Sequence, residues 1–136
     1  AAAGGIAPLV ALVQSGNEDQ KEGASWALGT LARKNDNQIA IAAAGSIAPL
    51  VVLVRSGSDR QKECAVGALR NLAENNEDNQ SAIAAAGGIA PLVALVQSGN
   101  EDQKEGASWA LGTLARKNDN QIAIAAAGSI APLVVL

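Results

Sequence analysis

Apolar residues recur along the chain in blocks with a period of 41 or 42 residues. The apolar segment IAPLV occurs four times, beginning at Ile6, Ile47, Ile89 and Ile130. Residues 1–53 and 84–136 are identical letter for letter. Because natural repeats diverge with time, we interpret this identity as the mark of an engineered or duplicated chain. The period itself predicts an array in which each unit packs against the next.

Within one period, start and stop signals divide the apolar positions into three predicted helices. A short first helix over 36–44 begins with Asp or Asn and is followed by Gly45, a residue type that ends many helices. A second helix over 48–55 has Ser46 as its candidate N-cap and is apolar nearly all round. A helix of that kind is predicted to lie between other layers rather than on a surface.

The third predicted helix is the longest, spans about 18–32 and is capped by Asn17, with Gln20 three residues further on, as Ser58 is followed by Gln61 in the next unit. At about 100° per residue, one side of it carries the predicted core stripe, made of Ala24, Ala27, Leu28 and Leu31. The opposite side carries a row that recurs in each unit as Glu22, Trp26 and Thr30; Glu63, Gly67 and Asn71; and Glu105, Trp109 and Thr113. A tryptophan opposite the core has two interpretations, packing against the neighbouring repeat or a surface shelf for a ligand.

The composition favours an all-α fold and removes most catalytic chemistry. The chain has 30 alanines and 14 glycines but no His, Phe, Tyr or Met, and its aromatic residues are Trp26 and Trp109. Small aliphatic side chains suit closely packed helices, whereas sheets draw on aromatic and β-branched residues. Without His, and with Cys64 as the single cysteine, the chain lacks an imidazole base and an internal disulfide. We therefore predict no enzyme activity, no cofactor and no metal site.

Charge and hydropathy narrow the possible partners. The net charge of −3 offers a nucleic acid backbone no general attraction. The longest apolar stretch, residues 39–54, contains Gly and Pro and is shorter than a bilayer span. We predict no nucleic acid partner and no membrane span. Cys64 lies beside the predicted core stripe and is expected to be a small buried hydrophobe. The lack of disulfides is compatible with the cytosol or nucleus, but the compartment stays open.

These features resemble armadillo repeats, which are three-helix units of about 42 residues. The resemblance rests on the period, on the Gly-X-Ile-Ala-Pro-Leu-Val entry into the second helix, and on the third-helix stretches Trp-Ala-Leu-Gly-Thr-Leu-Ala and Gly-Ala-Leu-Arg-Asn-Leu-Ala. HEAT repeats, which usually have two helices per unit, are the second candidate. The resemblance implies an all-α, right-handed superhelical solenoid. Its units would be a partial repeat 1–35 (helices 2 and 3), repeats 36–76 and 77–118, and a partial repeat 119–136 (helices 1 and 2).

The resemblance also implies a concave groove, lined by the third helices, that holds an extended peptide as in the importin-α adaptors. In that family an Asn side chain holds the peptide backbone and Trp residues flank Lys or Arg stems. Carried over by position, the Trp sites are Trp26, Gly67 and Trp109, and the Asn sites are Thr30, Asn71 and Thr113. No unit has both residue types. The acidic residues beside the Trp row, Glu22, Glu63 and Glu105, favour a Lys- or Arg-containing peptide, unless they serve only the helix dipole and solubility.

Two functional interpretations remain. In the first, the chain is a binding module for extended, basic peptides, with Asn71 on the peptide backbone and Trp26 and Trp109 on side chains. In the second, it is an engineered structural scaffold without a native ligand. The sequence has no polar capping repeat at either end, so exposed apolar surface there predicts that copies stack head to tail or that the array continues.

Overall fold

The computed structural model describes residues 2–135, with the side chains of residues 4–128, and this part of the chain consists of α-helices joined by short turns. Nine helices follow one another within it, without a strand. They are α1 (Ala2–Ser15), α2 (Glu18–Leu31), α3 (Asn35–Ala43), α4 (Ile47–Ser56), α5 (Asp59–Ala73), α6 (Glu77–Ala85), α7 (Ile89–Ser98), α8 (Glu101–Leu114) and α9 (Asn118–Val135). The predicted all-α class is confirmed.

The three predicted helices of one period appear as α3, α4 and α5, and again as α6, α7 and α8. The turn between the first and second helices depends on glycine. Gly45 and Gly87 adopt φ values of 85° and 82°, in the left-handed region that glycine enters without a Cβ penalty. These turns let the short first helix end and the second helix start in a new direction.

At both ends of the described chain, the predicted break between first and second helices does not occur. Helix α1 continues through Gly4 and Gly5, and α9 continues through Gly128. In the middle units, the second helices α4 and α7 pack against the third helices α5 and α8 that follow them. The predicted unit boundaries remain a prediction.

The N-termini of the third helices confirm the predicted caps. Asn17, Ser58 and Asn100 each form a capping box with the Gln side chain three residues later. The predicted Ser46 cap is wrong, because its side chain makes no capping bond and its buried Oγ has no hydrogen-bond partner. Its backbone is already helical, with φ −75° and ψ −27°, whereas a side-chain cap needs an extended residue. The first helix α3 begins after Lys34, also without a side-chain cap.

The core lies where second and third helices of one unit meet, and it continues through the contacts of neighbouring third helices. Helix α5 packs against α2 on one side and α8 on the other. The second helices are largely buried as predicted, with Leu50 and Leu92 fully enclosed. Their burial is incomplete, however, because Val52 is 50% exposed. One face of α4 therefore lies on the surface rather than between layers.

Amide side chains of the first helices tie adjacent units together. The Nε2 of Gln38, which is buried, donates to the carbonyl oxygens of Asn71 and Glu74 at 2.8 and 3.0 Å. Those two bonds lie within repeat 36–76, whereas Asn79 Nδ2 joins two units by donating to Leu72 O of the preceding unit at 2.8 Å. The last carbonyls of a helix lack partners in their own helix, and these amides supply them. They also set the position of each first helix against the third helices.

Among the described residues, no single helix is both long and apolar enough to cross a bilayer. Two bent helix pairs, α3 with α4 and α6 with α7, satisfy the length and composition criteria only together.

Candidate functional site

The third helices α2 and α5 border a cavity of about 550 Å³ that collects several of the predicted site residues. Its lining includes Trp26, Thr30, Glu63, Gly67 and Asn71. Gly67 stands where α2 and α8 carry tryptophan, and a Cβ added to it would meet no atom within 4 Å. The missing indole leaves open space between the helices. We call this space the α2–α5 cavity.

The two tryptophans lie on the exposed surface of their helices. The Trp26 side chain is 66% exposed and borders the α2–α5 cavity, whereas Trp109 is 54% exposed and lies on α8, outside that lining. An indole held in this way offers an apolar face to a ligand side chain. The two rings belong to different parts of the surface and do not form the walls of one slot.

The threonines of the predicted row bond to their own helices. Thr30 Oγ1 donates to Trp26 O at 3.0 Å, and Thr113 Oγ1 donates to Trp109 O at 3.1 Å. Bonds of this kind, to the carbonyl four residues earlier, are common for threonine within helices. Thr30 is exposed, but Thr113 is buried, with 4% of its surface accessible. The predicted place of Thr113 on an open groove is therefore corrected, because its side chain is enclosed and its proton is used.

Asn71 uses part of its amide to join two repeats. Its Nδ2 donates to the carbonyl oxygen of Gly29 in α2 at 2.8 Å, and the side chain is half-buried at the cavity. The amide has a second N–H and an acceptor oxygen besides this bond. Asn71 therefore combines a structural contact with remaining polar capacity beside Trp26.

The acidic residues of the row differ in their surroundings. Glu22 Oε1 is 3.0 Å from Arg60 Nη2 and accepts a hydrogen bond from Arg60 Nε at 3.1 Å. Glu63 Oε2 accepts from Asn100 Nδ2 at 3.0 Å, while Glu105 is exposed. Two of the three predicted groove acids thus contact the next unit. The Glu22–Arg60 ion pair contributes little to stability because it is exposed, but it offsets the charge of Glu22 that a ligand meets.

Sequence reasoning missed both arginines that line the cavity, Arg33 and, with the more specific contact, Arg70. Its guanidinium carbon lies 4.3 Å from the centroid of the Trp109 ring, within the range of a cation–π interaction. Arg70 also lines the α2–α5 cavity. A signal was present, because the equivalent positions of the other third helices are Gly29 and Gly112, so the arginine is particular to the middle unit.

Cys64 is less buried than its position beside the core stripe predicts. Its side chain is half-buried and lines the α2–α5 cavity. Burial raises the pKa of the Cys64 thiol, and the nearby Glu22 and Glu63 carboxylates raise it further against the opposing effect of Arg60. The thiol therefore stays protonated at neutral pH, which disfavours nucleophilic chemistry.

The repeats of this chain match a known family of repeats. The model of the armadillo/β-catenin-like repeat matches residues 1–33 and 76–116, which together are more than half of the chain. The chain belongs to the armadillo repeat family. A HEAT-like repeat model also matches, over residues 18–72. The predicted resemblance to armadillo repeats is confirmed, and the fold is an all-α solenoid of armadillo repeats. No curated protein sequence matches the chain.

Solved armadillo structures align with nearly the whole chain. A designed armadillo repeat protein in complex with the peptide (KR)4 has a TM-score of 0.87 at 31% identity, covering 98% of this chain and 56% of its own. A computationally designed armadillo repeat protein for modular peptide recognition gives 0.87 at 28%, covering 98% and 57%. An engineered protein gives 0.86 at 29%, covering 91% and 51%. The chain thus spans about half the length of these armadillo structures.

In this armadillo array the positions marked as Trp and Asn sites divide between two places. Trp26, Thr30 and Asn71 meet in the α2–α5 cavity together with Glu63. Trp109 lies apart from them, and Arg70 of the preceding unit stacks on its ring. The Trp26 ring therefore borders the α2–α5 cavity, whereas the Trp109 ring already contacts a cation of the same chain, Arg70.

Proposed function

We propose that this armadillo array is a binding scaffold, not an enzyme, that holds an extended peptide across its third helices at the α2–α5 cavity. The observation that carries the proposal is the 66% exposed Trp26 ring beside a cavity of about 550 Å³ that Asn71 also lines. Concave sites with an apolar wall and a few convergent polar groups are the usual places for ligands.

The residues of the cavity support distinct roles. The Trp26 face suits the methylene stem and cation of a Lys or Arg side chain. The remaining acceptor and N–H of Asn71 suit the N–H and C=O of a peptide backbone. Glu63 gives the cavity a carboxylate that favours a basic residue, although it already accepts a bond from Asn100. A designed relative solved with (KR)4 supports a basic peptide as the first ligand to test.

The second candidate function is an engineered structural scaffold without a native ligand. It is favoured by the internal use of groups that a ligand would need, since Asn71 bonds to Gly29 and Arg70 covers Trp109. The solved structures above are designed or engineered arrays, which fits the origin expected from the identity of residues 1–53 and 84–136. Head-to-tail stacking remains a prediction, because it involves terminal side chains outside the described residues.

Tryptophan fluorescence tests the peptide proposal. Trp109→Phe leaves Trp26 as the reporter at the cavity, and the matched variant Trp26→Phe leaves the Trp109 ring that Arg70 covers. We expect a saturable change with a Lys/Arg peptide in Trp109→Phe, weakened by salt, and a much smaller change in Trp26→Phe. Absence of a response in both variants, with helical content retained, would refute peptide binding and favour the scaffold.

A further inference from the structure

The charges around the α2–α5 cavity are mixed, not uniformly acidic. Arg33 and Arg70 line it together with the single carboxylate of Glu63. The two ion pairs formed among the described side chains involve Arg60 and Arg116, and neither includes these two arginines. Glu63 in turn accepts a hydrogen bond from Asn100. The lining of the cavity therefore carries two positive side chains and one negative side chain.

Arg70 is well prepared to bind an anion. Its guanidinium carbon lies over the Trp109 ring, 4.3 Å from the ring centroid. The N–H donors of a guanidinium lie in its plane, so stacking leaves them able to donate sideways. Because the stacked side chain is already held in place and half-buried, binding costs it less conformational entropy than it would cost a mobile arginine.

We infer that Arg33 and Arg70 form a carboxylate subsite of the α2–α5 cavity, which binds an Asp or Glu side chain of an extended peptide. This inference rests on the proposed peptide function and narrows it: the preferred peptide carries both signs of charge. A basic residue lies over Trp26, and an acidic residue lies against the two guanidinium groups. A uniformly basic peptide leaves both arginines facing like charge, which weakens its binding.

The inference also assigns a specificity role to the middle unit. Arg70 lies over the Trp109 ring, which stays 54% exposed, and competes there with basic ligand side chains. The Arg70 side chain also supplies N–H donors to the α2–α5 cavity. One substitution relative to the Gly29 and Gly112 positions thus places a cation over the Trp109 ring and adds N–H donors to the α2–α5 cavity.

Calorimetric titration with four peptides of equal length, acetylated and amidated so that no terminal carboxylate is present, tests this. Their side chains alternate Lys with Glu, Lys with Gln, Lys with Arg, or Glu with Gln. The protein variants are Arg33→Gln and Arg70→Gln. Arg116→Gln is the matched control, since Arg116 is the counterpart of Arg33 in the identical copy and does not line the cavity.

We expect the Lys/Glu peptide to bind most tightly. Arg33→Gln and Arg70→Gln should each weaken it roughly tenfold, as loss of a charge-assisted hydrogen bond predicts, and change the Lys/Gln peptide by less than about twofold. Arg116→Gln should leave both peptides unchanged. Binding of the Lys/Arg peptide that is tighter than Lys/Glu binding, or insensitivity of the Lys/Glu peptide to Arg33 and Arg70, would overturn the subsite and leave the peptide function standing. Failure of every peptide to bind would overturn both.

Discussion

The two identical copies of the third helix, α2 and α8, lie on opposite sides of α5, so the same residue meets different neighbours. A Cβ added to Gly29 would lie 3.2 Å from Ala68 Cα and 3.3 Å from Ala68 N. A Cβ added to Gly112, the counterpart of Gly29, would meet no atom within 4 Å. We therefore expect Gly29→Ala and Gly112→Ala to change stability in opposite directions.

The magnitudes follow from two effects. Replacing glycine with alanine inside a helix stabilises it by up to about 1 kcal/mol, and this gain is shared because the local sequences are identical. At Gly29 the new methyl group presses on the α5 backbone, and overpacking of a close contact costs about 1–3 kcal/mol. Any movement of α5 that relieves this contact also strains the hydrogen bond from Asn71 Nδ2 to Gly29 O. Gly112→Ala should thus be about 1–3 kcal/mol more stable than Gly29→Ala.

Urea unfolding followed by far-ultraviolet circular dichroism measures this difference. Both variants should unfold with unchanged denaturant slopes, so that the midpoints report stability. A second pair of equivalent glycines, Gly23 in α2 and Gly106 in α8, supplies the control because the crowded position lies in the other helix. A Cβ on Gly106 would lie 2.9 Å from Val66 Cγ1, whereas one on Gly23 has open space. In this pair, Gly106→Ala in α8 should be less stable than Gly23→Ala in α2. Equal stabilisation by all four substitutions would refute the close approach of α5 to its two neighbours.

Three further outcomes are expected from the described side chains. Ser25→Ala should raise the free energy of unfolding by about 1–2 kcal/mol, because the Ser25 hydroxyl is fully buried without a partner; the exposed counterpart Ser108→Ala should stay within about 0.5 kcal/mol, and equal effects in urea unfolding would contradict this. Arg70→Ala should change the emission of Trp109 in a chain whose other tryptophan is Phe, and an identical spectrum would show that the stack is absent. Cys64 should react slowly with a thiol reagent at neutral pH, because its pKa is raised in the folded protein. The pH at which its reaction rate is half-maximal should lie above the value for the unfolded protein, and a pH midpoint at or below that value would refute the burial effect. By linkage, the contribution of this thiol to the free energy of unfolding is fully present below its pKa in the unfolded state and is lost as pH rises through its pKa in the folded state.

Local signals explain how much of the fold was predictable. The Asn17 and Ser58 caps, the left-handed Gly45 and the 41 or 42 residue period all act within a few residues or within one repeat, and each was confirmed. Ser46 was wrong because a cap depends on the backbone angle of the residue as well as on its side chain.

The site was less predictable because its contacts cross from one repeat to the next. The bond from Asn71 to Gly29 and the stack of Arg70 on Trp109 join residues about one period apart. Which side chains meet across that distance depends on the shift and rotation between units, and a helical wheel of one helix does not contain those quantities. The wheel placed Trp26 opposite the core stripe, but it did not reveal that the ring is exposed or that Gly67 opens a cavity beside it.

The position of α5 between α2 and α8 has a consequence for how the array opens and closes. Within the described part of the chain, opening α2 or α8 breaks one interface between third helices, whereas opening α5 breaks two. In an array stabilised by nearest-neighbour interfaces, local opening then requires the most free energy at α5, and its amide protons exchange most slowly with solvent. A ligand that bridges α2 and α5 would slow exchange in α2 more than in α8, although the two helices share one sequence. Hydrogen exchange can therefore distinguish two identical segments by their neighbours alone.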